Sequence, residues 1–396
     1  MEELSGKARD VVRGNGSVLA AWRRQPVNRR RLLQASGGLA LAVGLGTRGR
    51  AVPAAAQGTV GGTLTMLCWQ GYDGPNASKP WREENDVDIQ ATYLGSNDEI
   101  FATLRAGGAG TLDIVTPYHG YVKNLYEAGL LQEIDYERLP NTKDYIAIFQ
   151  KPSWNTFDGK TYSAPFVWGT GPMIYNAKFI PEAPKEWMDV MKPEYTGKVV
   201  MTDDALGHYL IWNHVAGAKD PTQVTQEQLD KTTDLLIEIK TKQARAFSPN
   251  MGDMADIMAR GEAWLSTIGW EAVPKFPVAA EADLRYTHPA PGDFTFVDSY
   301  CIPKDAPNLD TAYSFIDYML SPEAQAIAMD DMDSATVNQQ AIDVLNEETR
   351  SIFPYDNLDE IFKVAPVWGF PPLEDQGDGI VTYSTWLEAW ERVRAA

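Results

Sequence analysis

Cysteine is almost absent from this chain: Cys68 and Cys301 are the only two in 396 residues. So few thiols form neither a disulfide framework nor a cysteine-based zinc site, and they read as either a single disulfide or two buried thiols. Histidine is nearly as scarce, with His119, His208, His214 and His288 scattered and no H-E-x-x-H among them. His208 and His214 are six apart, which puts them on different faces of a helix. No G-x-S-x-G elbow, no G-x-x-x-x-G-K phosphate loop and no G-x-G-x-x-G following a strand is present. Acid pairs are plentiful, yet nothing singles out a hydrolytic dyad. An enzyme is therefore not indicated, and neither a cofactor nor a metal is called for. No apolar run approaches the ~20 residues that cross a bilayer. Basic residues are outnumbered, 35 Lys+Arg against 54 Asp+Glu, for a net charge of −19. An acidic chain with no basic stripe repels phosphate backbones, which excludes nucleic acid as a partner.

What is present is an ordinary globular balance, 44% hydrophobic and 22% charged, at a length suited to two or three domains. The charge is uneven. Residues 1–56 hold ten basic and three acidic side chains, which leaves 25 bases against 51 acids in residues 57–396. Within that cationic segment, Asn28-Arg29-Arg30-Arg31-Leu32-Leu33 precedes a mildly apolar stretch from Ala35 to Gly46, and Ala54-Ala55-Ala56 follows. A basic region, a short apolar region and a small-x-small site read as a secretory signal peptide cleaved near Ala56. The paired arginines and the glycine-diluted apolar stretch resemble a twin-arginine signal. The remainder is expected to be a soluble, exported, periplasmic protein.

Strands and helices alternate along that remainder. Thr63 to Trp69, Val87 to Tyr93 and Leu112 to Thr116 read as strands. Ser96-Asn97-Asp98-Glu99 reads as a capping box opening a helix from Ile100 to Arg105, and Tyr121 to Leu131 as a second helix. Later helices open at Thr225-Gln226-Glu227-Gln228, run over Asp310 to Leu320, and start at Ser321-Pro322-Glu323. Further strands are expected at Lys198 to Met201, Ala263 to Ile268 and Phe294 to Ile302. A β-α-β-α order predicts parallel sheets with helices on their faces, in two α/β lobes.

Several strand ends carry aromatic rings beside polar groups: Trp69-Gln70-Gly71-Tyr72-Asp73, Pro117-Tyr118-His119-Gly120-Tyr121, Gly269-Trp270-Glu271 and Phe296-Val297-Asp298-Ser299-Tyr300. Ligands of open α/β sheets collect at the carboxyl ends of strands. Ring faces next to carboxylates suit an organic cation, through cation–π attraction and charge-assisted hydrogen bonds. Tyr118, His119 and Tyr121 also raise ferric-iron binding through phenolates, which lacks its converging carboxylate.

At these residues the chain resembles the periplasmic spermidine/putrescine-binding proteins of ABC importers. The likeness runs through Gly95-Ser96-Asn97-Asp98-Glu99, Leu112-Asp113-Ile114-Val115-Thr116-Pro117 and Glu127-Ala128-Gly129-Leu130-Leu131. It continues in Tyr162-Ser163-Ala164-Pro165-Phe166, Lys192-Pro193-Glu194-Tyr195-Thr196-Gly197-Lys198, Asp298-Ser299-Tyr300-Cys301 and Ser321-Pro322-Glu323-Ala324-Gln325. The resemblance implies a two-lobed α/β periplasmic-binding-protein fold of type II with the ligand in the cleft. It implies one lobe from residues 57–167 plus 297–342 and another from 168–296 plus 343–396. It implies a monomer that captures a polyamine or related amine and delivers it to ABC permease subunits. Carried over by position, Trp69 and Tyr72 form a first wall, and Asp203 or Asp204, Trp270 and Asp298 the contacts across the cleft, with Asp298 gripping an amine. One of Asp203 and Asp204 is expected to cap the next helix while the other faces the cleft. Phe296 stands at an aromatic position and Gln376 at a ligand-contacting amide.

The departures are specific. Gly71 replaces an acid, beside Gln70 where a small hydroxyl is usual; Tyr118 replaces a small hydroxyl residue; and Gly120 and Ser334 each replace an aromatic. Tyr118, Tyr121 and Glu271 are the nearest substitutes for the missing groups. Another organic cation (thiamine, a quaternary amine or an opine-like compound) is the alternative ligand.

Overall fold

The structure, a computed structural model, describes residues 60–94, 96–150, 152–276 and 282–396. The basic leader, its arginines and the site at Ala54–Ala56 lie outside the described residues. The chain opens with β1 (Gly62–Cys68), α1 (Lys79–Asn85), β2 (Val87–Tyr93), α2 (Asp98–Thr103), β3 (Ile114–Val115) and α3 (His119–Glu127). These strands form a parallel sheet in the order β2-β1-β3. Along β1, Leu64 and Met66 are buried while Thr63 and Thr65 are only partly so, the period-two pattern of a strand with one face on a core. Helix α2 does not use the expected capping box. Asn97, not Ser96, precedes it and makes no side-chain cap; its amide oxygen accepts the Tyr118 backbone N–H at 2.9 Å instead. A tertiary bond has taken the place of the local one.

A small hairpin, β4 (Thr156–Phe157) and β5 (Lys160–Thr161), leads into β6 (Ala164–Thr170) and β7 (Met173–Asn176). Then come β8 (Val199–Thr202), α4 (Ala205–Val215), α5 (Gln226–Lys242), β9 (Ala244–Ser248), α6 (Met251–Ala259), β10 (Leu265–Ser266) and β11 (Leu284–Thr287). The chain returns as β12 (Thr295–Tyr300) and ends with α7 (Leu309–Met319), α8 (Pro322–Met332), β13 (Ala335–Thr336), α9 (Glu347–Arg350), α10 (Leu358–Val364) and α11 (Tyr383–Ala395). Two of the expected helix starts are made as the residues suggest. Thr225 and Gln228 exchange side-chain and backbone bonds at the head of α5, and the Ser321 hydroxyl accepts the Ala324 N–H ahead of Pro322. The second sheet has the order β11-β7-β10-β8-β9. Strand β8 is parallel to β9 and β10, whereas β7 runs antiparallel to β10 and β11, so the parallel part is confined to one side.

Two main cores follow. One gathers Leu64, Met66, Ile114, Phe166, Trp168, Tyr300, Phe315 and Met329; the other Tyr175, Trp187, Met201, Trp212, Leu236, Trp386 and Trp390. Strand β6, buried throughout, pairs antiparallel with β12 and β13, and β6 and β12 carry the chain from one core to the other. A third strand of chain joins them: Asp293 and Thr295 donate their N–H groups to the carbonyls of Val364 and Pro366, both at 3.0 Å. Residues 345–362 lie against the first core, because Phe353, Tyr355 and Phe362 pack their rings around Trp168. The expected division gave that segment to the second lobe; the rings hold it to the first.

Cys68 and Cys301 are both free and fully buried. Burial pushes both thiols well above their ordinary range. Neither is expected to react with a thiol reagent in the native protein, and both to react once it is unfolded. Fast modification of the folded protein would contradict this placement.

Candidate functional site

Strand β1 ends in a turn in which the Tyr72 N–H donates to the Trp69 carbonyl at 3.1 Å and the Gly74 N–H to Gly71 at 2.9 Å. Gly71 sits at φ +92°, and a Cβ there would lie 2.8 Å from Met332 Sδ. A side chain at that φ would be strained and would need the Met332 thioether to shift. The turn carries Tyr72 inward, edge-on to Phe166 at 5.4 Å, where its hydroxyl donates to Asp298 Oδ2 at 2.6 Å. Asp298 lies on β12 where the register against β6 shifts, between Asp298 and Ser299. Such an irregularity re-aims side chains. Ser299 instead donates its N–H to the Pro117 carbonyl at 3.2 Å, which lays Tyr118 alongside Asp298.

Asp298 is only 9% exposed, and burial pushes its carboxyl up to about 7, with the Tyr72 hydroxyl opposing the shift. No Lys or Arg pairs with it among the described residues, and its second oxygen has no hydrogen-bond partner there. Tyr118 is also buried, and its hydroxyl has no partner. Burial raises that phenol above its ordinary range, and the charges of Asp298 and Asp204 add to the effect. Tyr118 thus feels the charge of both carboxylates.

Those carboxylates differ in engagement. Asp204 Oδ1 caps α4 by accepting the Gly207 N–H at 3.1 Å, and burial raises its carboxyl. Asp203 accepts from Trp390 Nε1 at 2.9 Å and from Arg394 Nε at 2.8 Å. Capping and nearness to Tyr118 therefore fall on the same residue, Asp204, while Asp203 is tied to α11. Trp270 and Phe296 stand over Gly169, where a Cβ would meet Phe296 Cζ at 2.6 Å and Trp270 Nε1 at 3.0 Å. The indole N–H groups of Trp69 and Trp270 are buried without a partner. Glu271 is committed elsewhere: both its oxygens accept the Thr170 N–H at 3.0 Å, and the Thr170 hydroxyl adds a third bond. It pins the end of β6 and does not substitute for the missing acid. Ser334 is buried, its hydroxyl donating to the Met332 carbonyl at 3.1 Å. Gln70 is exposed. Gln376 is exposed too, in a groove of about 560 Å³ that it shares with Arg105, Lys123, Asn124, Trp154 and Phe370. The structure thus brings Tyr72, Tyr118 and Asp298 together, with Asp204 nearby, and leaves Gln70, Asp203 and Gln376 outside that group.

Two contributors have no periodic signal in the sequence. His119 is buried, with Nδ1 accepting the Val297 N–H at 3.1 Å and Nε2 facing the Trp368 carbonyl at 2.6 Å. Because Nδ1 accepts, Nε2 carries the proton and the ring is neutral; burial pushes its pKa down to about 4. Phe370 lies between Tyr121 and Tyr383, with ring centroids 4.4 and 4.7 Å away. A Cβ at Gly120 would be 2.9 Å from Phe370 Cβ and 2.6 Å from Tyr118 Cε1, so the space of the missing aromatic is already filled. The Tyr121 hydroxyl donates to Asp98 at 2.9 Å.

Comparison with known proteins places the chain in a family. Residues 76–350 match the family described as bacterial extracellular solute-binding protein. The chain is 26% identical over 335 residues to the spermidine/putrescine-binding periplasmic protein of Salmonella typhimurium, covering 82% of this chain and 89% of that one. It is 26% identical over 307 residues to the putrescine-binding periplasmic protein PotF of Escherichia coli, covering 73% and 81%. Among solved structures, the substrate-binding protein PotD of Streptococcus pneumoniae superposes with a TM-score of 0.69 at 23% identity, over 84% of this chain and 98% of that one. The architecture is the same two-lobed α/β fold of type II.

Proposed function

Because the chain belongs to the bacterial extracellular solute-binding protein family, whose members capture solutes for ABC transporters and are not enzymes, we propose that it binds a polyamine in the periplasm and hands it to a membrane permease. One observation carries the choice of ligand: Asp298 is a buried carboxylate with one oxygen held by Tyr72, the other without a partner, and no cation beside it. A ligand ammonium supplies the missing charge. Tyr72 and Tyr118 supply rings beside it, and Trp69, Trp270 and Phe296 are the further aromatic candidates. The polyamine-binding relatives favour the same class.

In this reading residues 60–167 and 297–362 form one lobe, and residues 168–296 with 363–396 the other. A bound amine that touches both favours the closed form by its differential affinity, and the closed form is what the permease receives. Export through the twin-arginine route and cleavage near Ala56 complete it. A second reading, the same cleft holding another organic cation, is favoured by Gly71, which offers no second carboxylate.

Thermal unfolding with spermidine, putrescine, thiamine, choline and a sugar tests the choice. At a hundred times its dissociation constant a ligand adds ~2.7 kcal/mol of stability, a rise of several degrees in Tm for a chain of this size. A rise with a polyamine and none with the sugar is the expected result. A rise with the sugar alone would overturn the reading.

A further inference from the structure

We propose that the junction between the two cores is a pH-tuned hinge, stitched by two histidines that must stand in opposite protonation states, His119 neutral and His288 charged. The junction consists of three connecting segments laid side by side: the end of β6 running into β7, the stretch from His288 into β12, and residues 363–368. Thr170 pairs with Thr295 in register, and the Gly171 N–H donates to the Phe294 carbonyl at 3.0 Å. The N–H groups of Asp293 and Thr295 reach the third segment at Val364 and Pro366. One imidazole lies at each end of this ladder.

At the first-lobe end, His119 takes the Val297 N–H on Nδ1 and meets the Trp368 carbonyl with Nε2, so it ties the second segment to the third. A backbone N–H only donates, so this bond exists only while Nδ1 is bare. A second proton on the ring turns Nδ1 into a donor facing a donor, and the tie is lost. Nothing charged offsets that loss. The ring packs against Tyr118 and Trp154, Lys123 further along α3 is exposed, and Asp298, next to Val297 on β12, is bonded to Tyr72.

At the second-lobe end, His288 Nδ1 lies 2.8 Å from Asp293 Oδ2. The Asp293 side chain is fully buried, its Oδ1 has no partner, and neither Lys nor Arg pairs with it among the described residues. Glu271, which holds Thr170 at the end of β6, adds its charge to the cluster. Tyr286 and Tyr355 are the phenols that face Glu271, and the exposed Lys185 and Glu186 meet the segment through the backbone at Ala290. Burial works against a charge on His288, but the bond to Asp293 and the charges of Asp293 and Glu271 outweigh it and raise its pKa. Loss of that proton leaves the Nδ1 bond in place and strips Asp293 of its cation, which is costly for a buried carboxylate.

The two requirements have opposite signs. His119 stands at about 4 in the fold against ~6.5 unfolded, so its tie is complete above that value and is lost as pH falls towards 4. His288 is raised in the fold, so its contribution is complete below about pH 6.5 and is lost as pH rises through the folded value. The junction is therefore firmest near about pH 6.5 and loosens on either side. Hinge closure bends such connecting segments, so the acidity of the surroundings sets how freely the lobes swing.

Hydrogen exchange of the ligand-free protein from about pH 4.5 to about pH 8.5, corrected for the intrinsic pH dependence of exchange, reads the junction directly. Asp298→Asn serves as the parent, because Asp298 itself titrates at about 7 on β12. Amides of residues 293–297 are set against those of α5, which report global opening. They are expected to be best protected near about pH 6.5 and to lose at least about tenfold in protection towards each end, ahead of α5. His119→Asn keeps an acceptor for the Val297 N–H without a titrating group and is expected to flatten the acid side; His288→Gln is expected to flatten the alkaline side. Glu271→Gln keeps an acceptor for Thr170 and is expected to move the alkaline fall towards neutrality. An alkaline fall abolished by Glu271→Gln would overturn the role of His288. Imidazole nitrogen NMR of the unsubstituted protein at about pH 6 needs no variant to fold: His119 is expected neutral with its proton on Nε2, and His288 doubly protonated. Either ring in the other state, or junction amides that exchange in step with α5 at every pH, would overturn the proposal.

Discussion

Asp298→Asn is expected to lose amine binding by about thirtyfold to several thousandfold, the ~2–5 kcal/mol that follows from removing one partner of a buried charge pair. The asparagine keeps an oxygen for the Tyr72 hydroxyl, so the local geometry survives while the charge is gone. The same substitution is expected to make the unliganded protein more stable at pH 8. In the unfolded chain this carboxyl ionises near pH 4; in the fold burial raises it to about 7. Between those values the folded state holds a proton that the unfolded state has released, so stability falls as pH rises through the window. Removing the carboxylate removes that fall, a gain of up to about 4 kcal/mol at pH 8 and little change near pH 4. A cation that binds the ionised form also weakens as pH drops below 7, by up to about tenfold per pH unit. Titration calorimetry at pH 6 and 8 with thermal unfolding at pH 4 and 8 checks all three. An asparagine variant that binds within about threefold of the parent would remove Asp298 from the site.

His119→Ala is expected to cause the largest loss of stability, about 3 kcal/mol, because it leaves the Val297 N–H and the Trp368 carbonyl unpaired in a buried position. Those two groups lie on β12 and on the third connecting segment, so the loss is felt where the lobes join. Its pH dependence has the opposite sign to that of Asp298. Burial holds the folded pKa at about 4, below the ~6.5 of the unfolded chain. The contribution is therefore complete above pH 6.5 and is lost as pH falls towards 4. His208 is lowered to about 4 in the same way, so the acid-side loss is halved in the variant and does not vanish. A Tm profile from pH 7.5 to 4 reads this directly; an alanine variant with an unchanged profile would show that His119 carries no such load.

Much of the fold was legible where local chemistry and tertiary placement agree. Strand β1 alternates as a one-faced strand should, and α5 and α8 begin on the side chains that cap them. Strand β6 was not, because Ala164-Pro165-Phe166-Val167-Trp168-Gly169-Thr170 is buried on both faces and so shows no alternation. The antiparallel strands β7 and β11 are four residues each, too short for a pattern. Within the site, Tyr72, Tyr118 and Asp298 were readable because strand ends expose polar groups beside rings. Met332 and Phe370 were not: one ends an ordinary helix, the other lies in an irregular segment, and only distant contacts bring them to Gly71 and Gly120. Glu271 misled for a related reason, since an acid beside a tryptophan says nothing of the threonine it will hold.

The pairing of β6 with β12 and β13 also bears on how the protein folds. Val167 meets Asp298 in one neighbour and Thr336 in the other, so the central strand of the crossing sheet finds both partners more than a hundred residues downstream. Loop closure of that span must precede the contacts that reward it, and high contact order slows folding. A chain released only as far as β11 would hold β6 with both edges open, exposing Phe166 and Trp168, which the complete core hides. Folding of the first lobe is thus a late event that waits for residues near the end of the chain.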